Sequence, residues 1–198
     1  MDVAEARGVL IGAARHALEY RENVCSPTSG FHHAGYDSAE GFCTFNGLMV
    51  TALALLEQGA VRSIGILDCD VHYGNGTDDI VKRLGVQGIR HHTMGAHFRH
   101  RDEASLFEQW LQRAIEDCLG VDLLIYQAGA DPHVNDPLGK VLTGVQMAKR
   151  DHAVFSAFQG RPLVWNLAGG YQRDVNGGIE PVLKLHRTTA QIQNIYQP

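Results

Sequence analysis

The segment LDCDVHYGNGTDD, residues 67 to 79, places Asp68, Asp70 and His72 on alternate positions directly behind an apolar run. Alternate residues at a strand end point the same way, so Asp70 and His72 converge. A further acid, Asp131, stands in the glycine-rich stretch AGADPHVNDP. Asp70, His72 and Asp131 make a three-ligand site for a divalent ion with positions left open. Zinc takes such nitrogen and oxygen ligands and keeps a place for water. Two carboxylates nearly neutralise the ion, so its water is acidified less than in an all-histidine site. Such a centre needs a base for the water proton and a donor for the developing oxyanion. His33 and His32, adjacent in SGFHHAGYD, can supply the first. Tyr171, behind Gly169 and Gly170, can supply the second. The chemistry of the set is metal-assisted hydrolysis of an amide or ester.

Each residue also has a plainer reading. Asp78 and Asp79 suit helix caps better than metal ligands. Asp68 alone suits capping or an ion pair equally well. His32 and His33 can be a hydrogen-bonded core pair, and Tyr171 a packing residue. His91 and His92 lack a Gly/Asp context and read as structural. His16, His97, His100, His152 and His186 read as solvated or locally bonded.

The elements that position these residues follow from apolar periodicity. Val3, Ala6, Val9, Leu10, Ala13, Ala14, Ala17 and Leu18 mark one face of a first helix. Residues 46 to 58 form an apolar helix closed by Gly59. Further helices are expected at DDIVKRL, at 104 to 118, at TGVQMAKRDHAVFSAFQ and across 175 to 192. Strands are expected at NVC, SIGILDC, GIRHHT, VDLLIYQ and PLVWNLA. Continuous apolar strands alternating with helices predict an α/β fold, a parallel sheet sandwiched by helices. Ligands bind beyond the carboxyl ends of such strands. The stretches after NVC, SIGIL, LLIYQ and PLVWNL are glycine-rich and carry the His, Asp and Tyr residues named above. Their convergence on one rim points to a site, because buried carboxylates are costly without a cation or partner.

The rest of the composition narrows the class. The 198 residues are 44% apolar and 20% charged, which argues against disorder and suits one domain over 1–198. A net charge of −5 gives no reason to expect nucleic acid or an anionic membrane as partner. No apolar stretch is long enough to span a bilayer. The N-terminus starts acidic with helical spacing, unlike a secretory signal. The cysteines at 25, 43, 69 and 118 form no CxxC pair, and reduced thiols in a cytoplasmic protein are expected.

The stretches SGFHHAGYDSAEGFCTFN, LDCDVHYGNGT, QAGADPHVNDPLG and LAGGYQRD occur in this order between residues 29 and 174. Together they resemble the zinc-dependent histone deacetylase and acetylpolyamine amidohydrolase family, whose fold is related to arginase. The resemblance implies that Asp70, His72 and Asp131 hold zinc, with iron(II) as the alternative. It implies His33 as general base, His32 as its electrostatic companion and Asp68 as the residue that orients His32, near a structural potassium ion. Tyr171 would polarise the acyl carbonyl. Gly41 and Phe42 would line the channel for the acyl-bearing chain, with Gly169 and Gly170 joining them against substrate. The implied reaction is removal of an acetyl group from acetyl-lysine or another small acylated amine.

Two departures from the family pattern stand out. Asn75 occupies a place beside the base where many members carry an acid, and a neutral partner stabilises a protonated base less than a carboxylate does. The chain is also shorter than family catalytic domains. The strands and the substrate-gripping loop that usually precede the first helix are expected to be missing. A catalytically weak or inactive ligand-binding relative is therefore the alternative function. The exposed sheet edge this predicts suggests a homo-oligomer, most simply a dimer. An arginase-like two-manganese enzyme is disfavoured, since the chain has only one D-x-D-x-H.

Overall fold

The computed structural model describes residues 3–197, with side chains from Gly8 onward. Its helices are α1 (Val3–Tyr20), α2 (Gly47–Glu57), α3 (Asn75–Leu84), α4 (Ala104–Cys118), α5 (Gly144–Ala157) and α6 (Glu180–Ile195). Its strands are β1 (Asn23–Ser26), β2 (Ile64–Asp68), β3 (Ile89–Thr93), β4 (Leu123–Gly129) and β5 (Leu163–Ala168). The five strands form one parallel sheet in the order β1-β5-β4-β2-β3. The expected α/β fold is thus present, with helices on both faces.

Alternation along the strands divides the core. Ile64 and Ile66 of β2 and Leu123 and Ile125 of β4 face one layer, where they meet Leu10, Ala14 and Ala17 of α1 and Leu48 and Leu55 of α2. Leu67, Leu124, Tyr126 and Trp165 face the other, against Phe107, Phe155 and Ile192. A side chain such as Phe155 contributes roughly 1.5–3 kcal/mol through removal from water. Because β2 and β4 are buried on both faces, their sequences read as unbroken apolar runs.

Several expected boundaries move. On α1, Leu10, Ala14 and Ala17 are buried as expected, but Val9 is exposed, since the buried stripe turns past it. The side chains of Val3 and Ala6 lie outside the described residues. Asp78 and Asp79 do not cap α3. The helix begins earlier, at Asn75 behind Gly74, so both acids lie within it. Asp78 instead accepts from the Tyr73 hydroxyl and pairs with His91 at 2.6 Å, while Asp79 accepts the Tyr36 N–H at 2.9 Å. The last helix starts at Glu180 rather than at 175, because Asp174 ties Asn176 and Gly178 into a turn and Pro181 then suits a first helical turn. Caps elsewhere follow the sequence: the Asn46 side chain accepts the Met49 N–H at 3.1 Å, and Thr143 with Gln146 forms a capping box on α5.

The chain passes from β2 outward to β3 and then back to β4 on the other side of β2. That reversal opens a crevice between the carboxyl ends of β2 and β4, the favoured place for a ligand in an open α/β sheet. The ends of β1, β5, β4 and β2 lie side by side, and these four ends carry the chemistry-bearing loops. Among the described residues, no helix is long and apolar enough to cross a membrane.

Candidate metal centre

Asp70 and His72 follow β2, and Asp131 follows β4, so the crevice brings them together. His72 Nδ1 lies 2.9 Å from Asp70 Oδ1 and 2.9 Å from Asp131 Oδ2. One ligand atom from each of the three residues lies within 4.8 Å of the other two. A single ring N–H cannot align with both carboxylates, and Asp131 Oδ2, fully buried, has no aligned donor. Burial and the Asp70 charge push the Asp131 carboxyl well above its usual range. The carboxylates of Asp131 and Asp70, close on the same ring nitrogen, push the imidazole up to about 10. Two carboxylates and one imidazole thus share too little positive charge between them. The donor set and the orphaned Asp131 oxygen fit a divalent ion, which satisfies all three at once.

The histidine pair enters from the loop after β1. His32 Nδ1 lies 2.8 Å from Asp68 Oδ2, and Nε2 lies 3.7 Å from Asp70 Oδ1. Burial opposes charge on His32, but Asp68 outweighs it by charge and hydrogen bond and holds the imidazole at about 9. Asp68 is itself fixed by Gln127 Nε2 at 2.8 Å and by the Asp70 N–H at 3.1 Å. His33 Nδ1 lies 2.6 Å from Asn75 Oδ1, and Asn75 Nδ2 donates to Glu40 Oε1 at 2.9 Å. Because Glu40 can only accept, it orients the amide with its oxygen toward His33. Nδ1 of His33 is then the donor, which leaves the Nε2 lone pair free.

Glycine makes these approaches feasible. A Cβ at Gly41, where φ is +56°, would stand 2.3 Å from His33 Cδ2. A Cβ at Gly169, where φ is +51°, would stand 2.4 Å from Asp131 Cγ. Gly169 and Gly170 let the chain after β5 pass Asp131 and carry Tyr171 to the rim of the cluster. The Tyr171 ring lies 6.3 Å from that of His72. Burial first, then the Asp131 and Asp70 charges, push its hydroxyl up to about 12, so it stays a donor at neutral pH.

His32, His33, Asp70, Phe42, Gly170 and Tyr171 line a cavity of about 210 Å³. A groove of about 490 Å³ adjoins it at His33 and continues past His72, Glu40, Tyr73, Arg99 and Leu138. Phe42 stands at the mouth with 92% of its surface exposed.

The structure therefore gathers every residue singled out from the sequence into one cluster. It also adds residues that were not singled out. Asp136, Gln127 and Glu40 support Tyr171, Asp68 and Asn75 respectively. Asp136 sits in a Pro-containing turn, and Gln127 lies within a buried strand. Neither position carries a local signal. His91, read as structural, has a buried side chain that lies 4.0 Å from Asp68 Oδ2. His186, read as solvated or locally bonded, is half-buried.

Comparison with known proteins agrees with this geometry. The family described as Histone deacetylase domain matches residues 2–97. An uncharacterized protein of Picosynechococcus sp. is 29% identical over 94% of this chain and 68% of its own length. The acetylpolyamine amidohydrolase of Mycoplana ramosa is 36% identical over 65% of this chain and 32% of its own. Acetylpolyamine amidohydrolase 1 of Pseudomonas aeruginosa is 27% identical over 78% of this chain and 51% of its own. The crystal structure of an acetylpolyamine aminohydrolase from Burkholderia pseudomallei superposes with a TM-score of 0.73 at 18% identity, over 98% of this chain and 62% of that one. The chain thus spans between about a third and two thirds of the length of these proteins. With its four motif stretches, its five-stranded parallel sheet and its Asp-His-Asp cluster, the chain belongs to the histone deacetylase and acetylpolyamine amidohydrolase family.

Proposed function

We propose that this chain is a metal-dependent amidohydrolase that removes an acetyl group from an acetylated primary amine, such as acetyl-lysine or a small acetylated amine. The observation that carries the proposal is the convergence of Asp70, His72 and Asp131 between His33 on one side and Tyr171 on the other. A bound divalent ion supplies Lewis acidity toward water and an acyl carbonyl. His33, with its free Nε2, takes the proton of the attacking water and later returns it to the leaving amine. Tyr171 donates its hydroxyl proton in a hydrogen bond to the acyl oxygen as negative charge develops there. His32, held by Asp68, keeps positive charge beside Asp70. The cavity of about 210 Å³ takes the acyl end, and Gly41 and Phe42 guide the chain that bears it.

Zinc is the ion we propose, with iron(II) as the alternative and potassium near Asp68 as a structural companion. Among the described residues, Asp70, His72 and Asp131 are the one group of three or more metal-capable side chains. That supports a single catalytic ion over an arginase-like pair. Four free cysteines support a cytoplasmic location, and one sheet shared by both core layers supports a single domain. The edge position of β1 supports a homodimer, which light scattering at micromolar concentration checks.

The deciding experiment has two arms. Metal analysis of protein purified without chelator should find one divalent transition-metal ion per chain. Turnover of a fluorogenic acetyl-lysine amide or of an acetylpolyamine should depend on that ion. Two stoichiometric ions, or none after zinc addition, would sink the metal assignment. One ion with an acylated ligand bound and no turnover would instead establish the non-catalytic alternative.

A further inference from the structure

Arg150 lies on α5, behind the sheet, with 1% of its surface exposed. Its Nη1 donates to the carbonyl oxygen of Gly129 at 2.8 Å and, more weakly, to that of Cys69 at 3.5 Å. Cys69 directly precedes Asp70. Gly129 is the last residue of β4, just before Ala130 and Asp131. The pairing of β2 with β4 ends at Asp68 and Gln127. Beyond that point the Cys69 N–H still donates to the Gln127 carbonyl at 3.0 Å, while the carbonyls of Cys69 and Gly129 accept from Arg150. The backbones stay in contact, since a Cβ on Gly129 would stand 2.4 Å from Cys69 O and 2.7 Å from Asp70 Cα.

We propose that Arg150 is a positioning residue for the metal centre, bridging the two strand ends from beneath and fixing the spacing between Asp70 and Asp131. The proposal rests on reading Asp70, His72 and Asp131 as the ligands. A guanidinium suits the task because its planar donors reach two acceptors in a fixed geometry. Its charge is matched by Asp151, whose Oδ1 lies 2.9 Å from Arg150 Nε and 2.5 Å from the Tyr126 hydroxyl. Thr189 donates to Asp151 Oδ2 at 2.7 Å, so both carboxylate oxygens have donors. A buried ion pair of this kind is a poor means to stability, because well-packed apolar residues often serve as well or better. Its position under both ligand-bearing strand ends gives it a different role. Groups that orient ligands from behind typically change metal affinity about 10–100-fold when altered.

The test uses Arg150→Lys, which keeps the charge and the Asp151 pair but loses the fork. The double variant Arg150→Met with Asp151→Asn serves as a second probe, since it leaves no charge buried without a partner. Zinc affinity is read by competition with a chromophoric chelator, and the apo-protein midpoint by thermal denaturation. Both variants should bind zinc about 10–100-fold more weakly than the wild type. For Arg150→Lys the apo midpoint should shift little. A folded variant of either kind that binds zinc as the wild type does would overturn the proposal and leave Arg150 a purely structural residue. His72→Ala separates the two layers of the argument. If it binds zinc as tightly as the wild type, the ligand assignment itself fails, and the Arg150 proposal falls with it.

Discussion

Asp136 accepts the backbone N–H of Tyr171 at 2.7 Å while its other oxygen takes the Leu138 N–H at 3.0 Å. Asp136 is fully buried and lies on the same loop as Asp131. The loop that carries the proposed ligand Asp131 therefore also holds Tyr171, the residue proposed to face the acyl oxygen. Asp136→Ala should remove a charge-assisted hydrogen bond of about 1.5–3 kcal/mol from the Tyr171 loop. If that loss is felt in the transition state, kcat falls by roughly 10–100-fold. KM and zinc content should change little. Steady-state kinetics with metal analysis checks this, and an unchanged kcat would show that the Tyr171 loop holds its place without Asp136.

Tyr171→Phe keeps the ring and removes only the donor. It should lower kcat by roughly 100-fold or more, in the range for losing one oxyanion donor. Zinc per chain should stay at the wild-type value, since Tyr171 is not among the proposed ligands. His33→Ala should abolish turnover with the metal retained. Near-wild-type rates in either variant would refute the assigned roles.

Gly169→Ala should damage the metal centre itself. Its φ is +51°, and the added Cβ meets Asp131 Cγ at 2.4 Å. Gly177→Ala is the matched control: its φ is +80°, but its Cβ would meet nothing within 4 Å. Both substitutions carry the backbone strain of a left-handed residue, of order 1–2 kcal/mol. Only Gly169→Ala should also lose zinc, which metal content after gel filtration will show. Equal zinc in the two variants would mean that the Asp131 contact does not govern binding.

His186 provides a pH test apart from the proposed metal ligands. Burial, and next the nearby Arg150 guanidinium, lower its pKa to about 4, with Asp151 acting in the opposite sense. In the unfolded chain a histidine titrates near 6.5, so between those values the unfolded state binds the extra proton. Stability should therefore rise with pH across this window and fall as pH drops from 6.5 toward 4. From pH 7 to pH 5 this one residue should cost about 2 kcal/mol. His186→Gln should flatten the pH dependence of the urea midpoint by that amount. Parallel profiles for the two proteins would refute the assignment.

Much of the site was legible because its signals are local. D-x-D-x-H behind an apolar run, two adjacent histidines, AGAD and AGGY each state a residue type and a backbone freedom within a few positions. Strand and helix periodicity is equally short-range, so the parallel sheet and its helices could be read before the fold was seen. The extent of α3 could not, because Gly74 leaves its start without a side-chain cap and Asp78 and Asp79 mimic one. Nor could the strand order, in which β5 lies between β1 and β4 and so places Tyr171 beside Asp131. Packing between segments far apart in the chain decides that order. The same holds for the supporting pairs: Asp136 with Tyr171, Gln127 with Asp68, Glu40 with Asn75 and Arg150 with Gly129. Each partner is an ordinary polar residue by spacing and composition. Its role follows only from which buried donor or acceptor the folded chain sets opposite it, because a buried polar group must find a partner wherever the tertiary structure places one.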